Sequence, residues 1–147
     1  MAHVDGRLVV AVDDDPSMRR VLARVLAWRG FRALVADGRA SAYALILEHR
    51  PAVVTVDCDL GADTGVDLVN DVRRALGEAA PAMILVSAAA DRLPRGELAR
   101  FDAVHVKPFR ASALLDDVER LAARAACKQS GVRAVDAKIG RRRAEGE

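Results

Sequence analysis

At 147 residues the chain has the length of one domain, with little room for a second. Its 52% apolar and 30% charged residues exclude a disordered chain, and its two cysteines, Cys58 and Cys127, exclude a disulfide-built scaffold. No uncharged apolar run approaches ~18 residues, which excludes a transmembrane helix, and the net charge of +2 is uneven: residues 127–147 hold six basic and three acidic residues, against 17 and 18 in the first 126.

Short apolar runs alternate with longer amphipathic ones. Met1 to Arg7 is polar and lacks the apolar stretch of a secretory signal, so a cytoplasmic protein is expected. Leu8 to Val12 is rich in β-branched residues and reads as a strand buried on both faces. Asp13-Asp14-Asp15-Pro16 stops it and opens a helix over 17–29, closed by Gly30. Residues 31–36 form a second strand and 41–49 a second helix. Pro51 then leads into a third strand over 52–56. A polar stretch, 57–65, precedes a third helix marked by Val66, Leu68, Val69, Val72 and Leu76. Strand 83–86, a loop from 87, a short fourth helix ending near Arg100, strand 103–106 and a helix over 111–125 complete the pattern. Strands alternating with helices require crossover connections and hence a parallel sheet. The expectation is an α/β, doubly wound, five-stranded parallel sheet of order 2-1-3-4-5 with five helices, spanning residues 1–126. Periodicity fails after about residue 126, so 127–147 is expected to be a basic, flexible tail.

In such a sheet, the loops leaving the carboxyl ends of the strands share one edge, where ligands bind. Strand one delivers Asp13 and Asp14 there. Strand three delivers Asp57, with Asp59 two residues later; strand four delivers Ser87 and strand five Lys107. Each pair of carboxylates brought to about 4 Å repels by roughly 4 kcal/mol at an effective dielectric near 20. A divalent cation relieves that repulsion, and oxygen-rich, partly hydrated donors suit Mg²⁺. A lysine charge and a serine hydroxyl complete the parts needed to hold a phosphoryl group while an aspartate attacks it.

These residues carry a resemblance. Val-Asp-Asp-Asp-Pro at 12–16, Asp57 with Gly65 eight residues on, Ser87-Ala88 and Lys107-Pro108-Phe109 resemble the response-regulator receiver domain of two-component systems, from about Leu8 to Ala125. The architecture is similar to the stand-alone, chemotaxis-type regulator, with a flavodoxin-like fold. The resemblance implies that Asp57 takes a phosphoryl group from a histidine kinase or phosphotransfer protein. It implies that Asp14 and Asp57 ligate Mg²⁺ with the Asp59 main-chain carbonyl, and that Asp13 acts mainly through water. Ser87 would be the conformational switch, and Lys107 would pair with the phosphoryl group or, before modification, with Asp57. The Lys107–Pro108 bond would be cis. The start of the first helix (Ser17, Arg20, Val21) and the Pro108-Phe109 loop would dock the kinase. A downstream protein would bind the face formed by helix 4, strand 5 and helix 5. Such a chain is a switch that phosphorylates and dephosphorylates itself, not a turnover enzyme.

Two positions depart from the family pattern. Gly61 replaces a frequent proline, which is expected to loosen the loop after the acceptor. Val104 replaces a tyrosine or phenylalanine that swings inward with the switch hydroxyl, so a weaker or differently built readout is expected. That leaves two further readings: a phosphate sink or relay intermediate without its own output, and the receiver fragment of a longer regulator. Asp57-Cys58-Asp59 also resembles the first motif of haloacid-dehalogenase-type phosphatases. Those enzymes carry it on their first strand with an acid pair late in the chain, whereas Asp116-Asp117 lies inside an amphipathic helix. Cys58 reads as a small buried filler, Cys127 as an exposed thiol, and His49 and His105 as structural or surface residues, His105 with a route to the output face. Five aromatic residues and no helix-turn-helix pattern give no expectation of a nucleic-acid partner, and Arg141-Arg142-Arg143 reads as a solvated charge run.

Overall fold

The apolar run at Leu8–Val12 forms the buried part of β1 (Asp5–Val12). The computed structural model describes residues 3–144, with side chains for residues 3–127. After β1 come α1 (Pro16–Ala27), β2 (Arg32–Ala36), α2 (Arg39–His49), β3 (Pro51–Val56), β4 (Asp59–Leu60), β5 (Asp63–Thr64), α3 (Gly65–Leu76), β6 (Ala82–Ser87), α4 (Arg95–Leu98), β7 (Ala103–Val106) and α5 (Ala111–Ala144). Strands β2-β1-β3-β6-β7 form one sheet, every neighbouring pair parallel. This is the expected doubly wound order, with the small antiparallel pair β4–β5 inserted after β3.

Alternation along the strands divides two cores. Val10, Val12, Val54, Val56, Met83 and Leu85 pack with Ile46, Leu68, Val69 and Val72 on the side of α2 and α3. Val9, Ala11, Val53, Ile84 and Val86 pack with Leu22, Leu26, Leu114 and Val118 on the side of α1 and α5. Both faces of the central strands are covered, which is why their sequences run apolar without interruption. No helix among the described residues is long and apolar enough to cross a membrane.

Local chemistry starts and stops the helices. Asp15 accepts the Ser17 N–H as the cap of α1, with Pro16 in its first turn. Thr64 and Asp67 form a reciprocal capping box on α3. Arg50 closes α2 in the left-handed conformation (φ 51°), leaving one residue between α2 and β3. Among the helices, the last two depart most from the sequence reading. The fourth helix is a single turn, Arg95–Leu98. The last helix continues past 125 to Ala144, since no proline follows Pro108 and the added residues are rich in alanine, lysine and arginine, all good helix formers. The expected flexible tail over 127–147 falls almost wholly outside the residues whose side chains are described.

Arg39 ties α2 to α3. Its Nε and Nη2 grip both oxygens of Asp71 at 2.7 and 3.0 Å, and its Nη1 reaches Asp63 at 3.0 Å. The Arg39 hydrogen bonds hold the Asp71 carboxyl below its usual 3.8. A depressed carboxyl stabilises the fold above its unfolded pKa and loses that contribution as pH falls through the folded value. Arg39→Ala therefore lowers the urea midpoint at about pH 7, and the difference from wild type shrinks by about pH 3. An equal difference at both pH values would contradict the assignment.

Candidate functional site

The sheet's hydrogen-bond ladder extends into the loops at its carboxyl edge. Asp13 N–H donates to Ala36 O at 3.1 Å, Asp57 N–H to Val12 O at 3.1 Å and Lys107 N–H to Ser87 O at 3.0 Å. Each residue is thus positioned by a neighbouring strand, and residues far apart in the chain meet at one edge.

Lys107 Nζ lies between two carboxylates, 2.6 Å from Asp13 Oδ2 and 3.0 Å from Asp57 Oδ2. Asp13 is 1% exposed, and its Oδ1 accepts the Asp15 N–H at 2.9 Å. The Asp13 carbonyl takes a guanidinium N–H from Arg19 at 2.8 Å, a contact for which the sequence carried no signal. Of the two lysine contacts Asp13 makes the shorter, a pairing expected of Asp57 alone. Burial pulls the Lys107 pKa down, but the hydrogen bonds to Asp13 and Asp57 outweigh it and leave the pKa above 10.5. The Lys107–Pro108 bond is cis, as the resemblance implied.

One ligand oxygen from each of Asp13, Asp14 and Asp57 lies within 4.8 Å of the others. Asp14 is exposed and Asp57 half-buried, so the cluster opens to water on one side. Three hard oxygen donors with a solvent-facing opening fit Mg²⁺, which retains part of its hydration shell. The Asp59 carboxylate stands apart from this cluster and is exposed, while the Asp59 N–H donates to Asp57 Oδ1 at 3.3 Å.

The loop after Asp57 is held from two sides. Gly61, with φ at 74°, occupies the first turn position of the hairpin that pairs β4 with β5. The Gly65 N–H donates to Cys58 O at 3.0 Å, bringing the start of α3 against the loop after β3. A Cβ at Gly65 would lie 2.3 Å from the Asp57 carbonyl oxygen.

Ser87 ends β6 and is 1% exposed. Its Oγ accepts the Ala89 N–H at 3.1 Å and lies 2.8 Å from Cys58 Sγ. Burial pushes the Cys58 thiol pKa up, opposed by the Ser87 hydrogen bond. The sequence reading treated Cys58 as filler; its contact with the Ser87 hydroxyl emerges only when β3 and β6 pair. Cys127 is an exposed free thiol, as expected.

His105 turns toward α5. Its Nε2 lies 2.7 Å from Asp117 Oδ2, and its side chain is 12% exposed. Burial raises the Asp117 pKa, but hydrogen bonds from Arg120 and His105 outweigh it and leave it below 3.8. The neighbouring Val104 and Val106 are 40% and 48% exposed. On α1, Ser17, Arg20, Val21, Arg24, Val25 and Trp28 line a shallow groove in which Val21 and Trp28 stand exposed.

Comparison with known proteins agrees with this geometry. Residues 9–119 match the family described as response regulator receiver domain. The transcriptional regulatory protein KdpE of Mycobacterium tuberculosis is 35% identical over 78 residues, covering 53% of this chain and 34% of KdpE. The virulence sensor protein BvgS of Bordetella pertussis is 32% identical over 127 residues, 80% of this chain and 10% of BvgS. The chain therefore spans about a third of one relative and a tenth of the other. Among solved structures, response regulator protein TrrA of Thermotoga maritima, in complex with Mg²⁺–BeF, superposes with a TM-score of 0.72 at 21% identity, covering 78% of this chain and 98% of TrrA. A CheY-like receiver domain from Methylobacillus flagellatus has the same TM-score at 20% identity, covering 78% of this chain and 98% of its own. Asp57-Cys58-Asp59 follows the third strand of this fold, not the first.

Proposed function

The chain belongs to the response-regulator receiver family, and from that premise we propose that it is a phosphorylation-controlled switch whose Asp57 accepts a phosphoryl group from a histidine kinase or phosphotransfer protein. The observation that carries this reading is the Lys107 ammonium shared between Asp13 and Asp57 at the edge of an acidic cluster. Asp13, Asp14 and Asp57, with the Asp59 main-chain carbonyl, would hold Mg²⁺. When bound, the ion neutralises charge on the transferring phosphoryl oxygens.

An Asp57 carboxylate oxygen attacks phosphorus, forming an O–P bond as the P–N bond of the donor phosphohistidine breaks. The bonding pair returns to the imidazole. Lys107, already on Asp57 Oδ2, donates to a phosphoryl oxygen and offsets the charge that accumulates in transfer. The Ser87 hydroxyl then turns toward the new phosphoryl oxygens, and a two-state equilibrium shifts. The exposed Val21–Trp28 groove on α1 and the Pro108-Phe109 loop form the donor's docking face. The chain acts as a cytoplasmic switch rather than a turnover enzyme.

Val104 favours a second reading, a phosphate sink or relay intermediate. At 40% exposure it offers no long side chain to swing inward behind the Ser87 hydroxyl. Partner binding that responds to beryllofluoride favours the switch, and indifference to it favours the sink.

Incubation with acetyl phosphate and Mg²⁺, followed by intact mass, tests the common premise. The wild type gains one phosphoryl group; Asp57→Asn, or chelation of the metal, removes the gain. Equal labelling of Asp57→Asn would defeat the proposal.

A further inference from the structure

Cys58 has no part in the transfer just described, yet it touches the group that must move. Its Sγ lies 2.8 Å from Ser87 Oγ, with either atom able to donate. Ser87 Oγ also accepts the Ala89 N–H, and the serine is 1% exposed. A hydroxyl carries one proton and two lone pairs, so these two partners leave it little freedom to rotate. The arrangement spans adjacent strands: Cys58 follows the end of β3, Ser87 ends β6, and the two strands pair in register. Cys58 also packs against the apolar cluster on the side of α2 and α3, which keeps the thiol from following the hydroxyl when it leaves.

We propose that Cys58 is a positioning residue that restrains the Ser87 hydroxyl in its unphosphorylated orientation and so sets how readily the phosphoryl-bound state forms. The inference rests on the reading of Asp57 as acceptor. For Ser87 to reach a phosphoryl oxygen on Asp57, its contact with Cys58 must break. An interaction made in one of two states shifts their populations toward that state. Removing the thiol therefore favours the phosphoryl-bound form without adding any contact to it.

Beryllofluoride with Mg²⁺ is the probe, titrated into the full chain and followed by the amide resonance of Ala89, whose N–H reports on Ser87 Oγ directly. Cys58→Ala binds beryllofluoride tighter by a factor on the order of two to five, the range for losing one weak hydrogen bond. Cys58→Val, which keeps apolar volume and removes the hydrogen bond, shifts affinity in the same direction and serves if the alanine variant folds poorly. Cys58→Ser, which keeps a hydrogen-bonding group, moves affinity back toward wild type. In a Ser87→Ala background, Cys58→Ala changes nothing, because the restrained group is gone. Equal effects in both backgrounds, or no change in affinity for either apolar variant, overturn the positioning role while leaving Asp57 as acceptor. A wild type that neither binds beryllofluoride nor gains a phosphoryl group overturns both.

Discussion

Lys107→Met lowers the unfolding free energy by about 2–4 kcal/mol near neutral pH, the penalty for stranding Asp13 and Asp57 without their shared counter-charge. Asp13 is 1% exposed and cannot turn to water. The Lys107 side chain is 16% exposed and the Asp57 side chain 12%, so solvent screens this triad only in part. Removing the ammonium leaves like charges facing each other, and methionine supplies length but no donor. Lys107→Arg keeps the charge and recovers part of the loss. Mg²⁺ raises the melting temperature of Lys107→Met more than that of wild type, because the ion replaces the missing positive charge and binds the folded site. Equal melting temperatures for Lys107→Met and wild type without metal would contradict the pairing. The wild-type contribution is flat across the neutral range. On the alkaline side, the raised lysine pKa keeps it in place below 10.5 and it is lost as pH climbs through the folded value.

Gly65→Ala is expected to cost about 2–3 kcal/mol and to slow labelling of Asp57 by acetyl phosphate. The added Cβ would sit 2.3 Å from the Asp57 carbonyl oxygen and 3.1 Å from its carbonyl carbon. Both are backbone atoms, so no side-chain rotation relieves the clash. Either α3 retreats, breaking the Gly65 N–H bond to Cys58 O, or the loop after β3 shifts and carries Asp57 away from Lys107. Gly96→Ala in α4 is the control. Nothing lies within 4 Å of a Cβ there, and alanine favours a helix over glycine by about 1 kcal/mol. Urea denaturation of both variants separates close approach from helix propensity; a destabilised Gly96→Ala alongside an unaffected Gly65→Ala would reverse the argument.

Gly65 also shows how far the sequence could be read. Its eight-residue spacing from Asp57 was visible as a motif, but the reason for it is a backbone contact between α3 and the loop after β3. The same holds for Asp13. Its position after the first strand placed it at the sheet edge; which of Lys107's two carboxylates lies nearer depends on the relative height of loops leaving β1, β3 and β7. Gly61 stood out only as a replacement for proline; that its positive φ serves the turn pairing Leu60 with Asp63 was not legible along the chain. His105 read as a structural or surface residue; its ion-pair partner, Asp117 on α5, could be named only once strand and helix were packed together.

The order of the five parallel strands and five helices, and the delivery of Asp13, Asp14, Asp57, Ser87 and Lys107 to the sheet's carboxyl edge, were determined by the sequence alone; the β4–β5 hairpin was not. Apolar periodicity and capping residues are local signals, and the crossover rule converts their order into topology. The tertiary structure decided the pairings made at that edge: Lys107 with Asp13 and Asp57, Cys58 with Ser87, and Gly65 against the Asp57 carbonyl. Each joins separate elements whose relative height and tilt follow from how the two cores pack. A shift of an ångström would exchange one partner for another without altering any pattern along the chain.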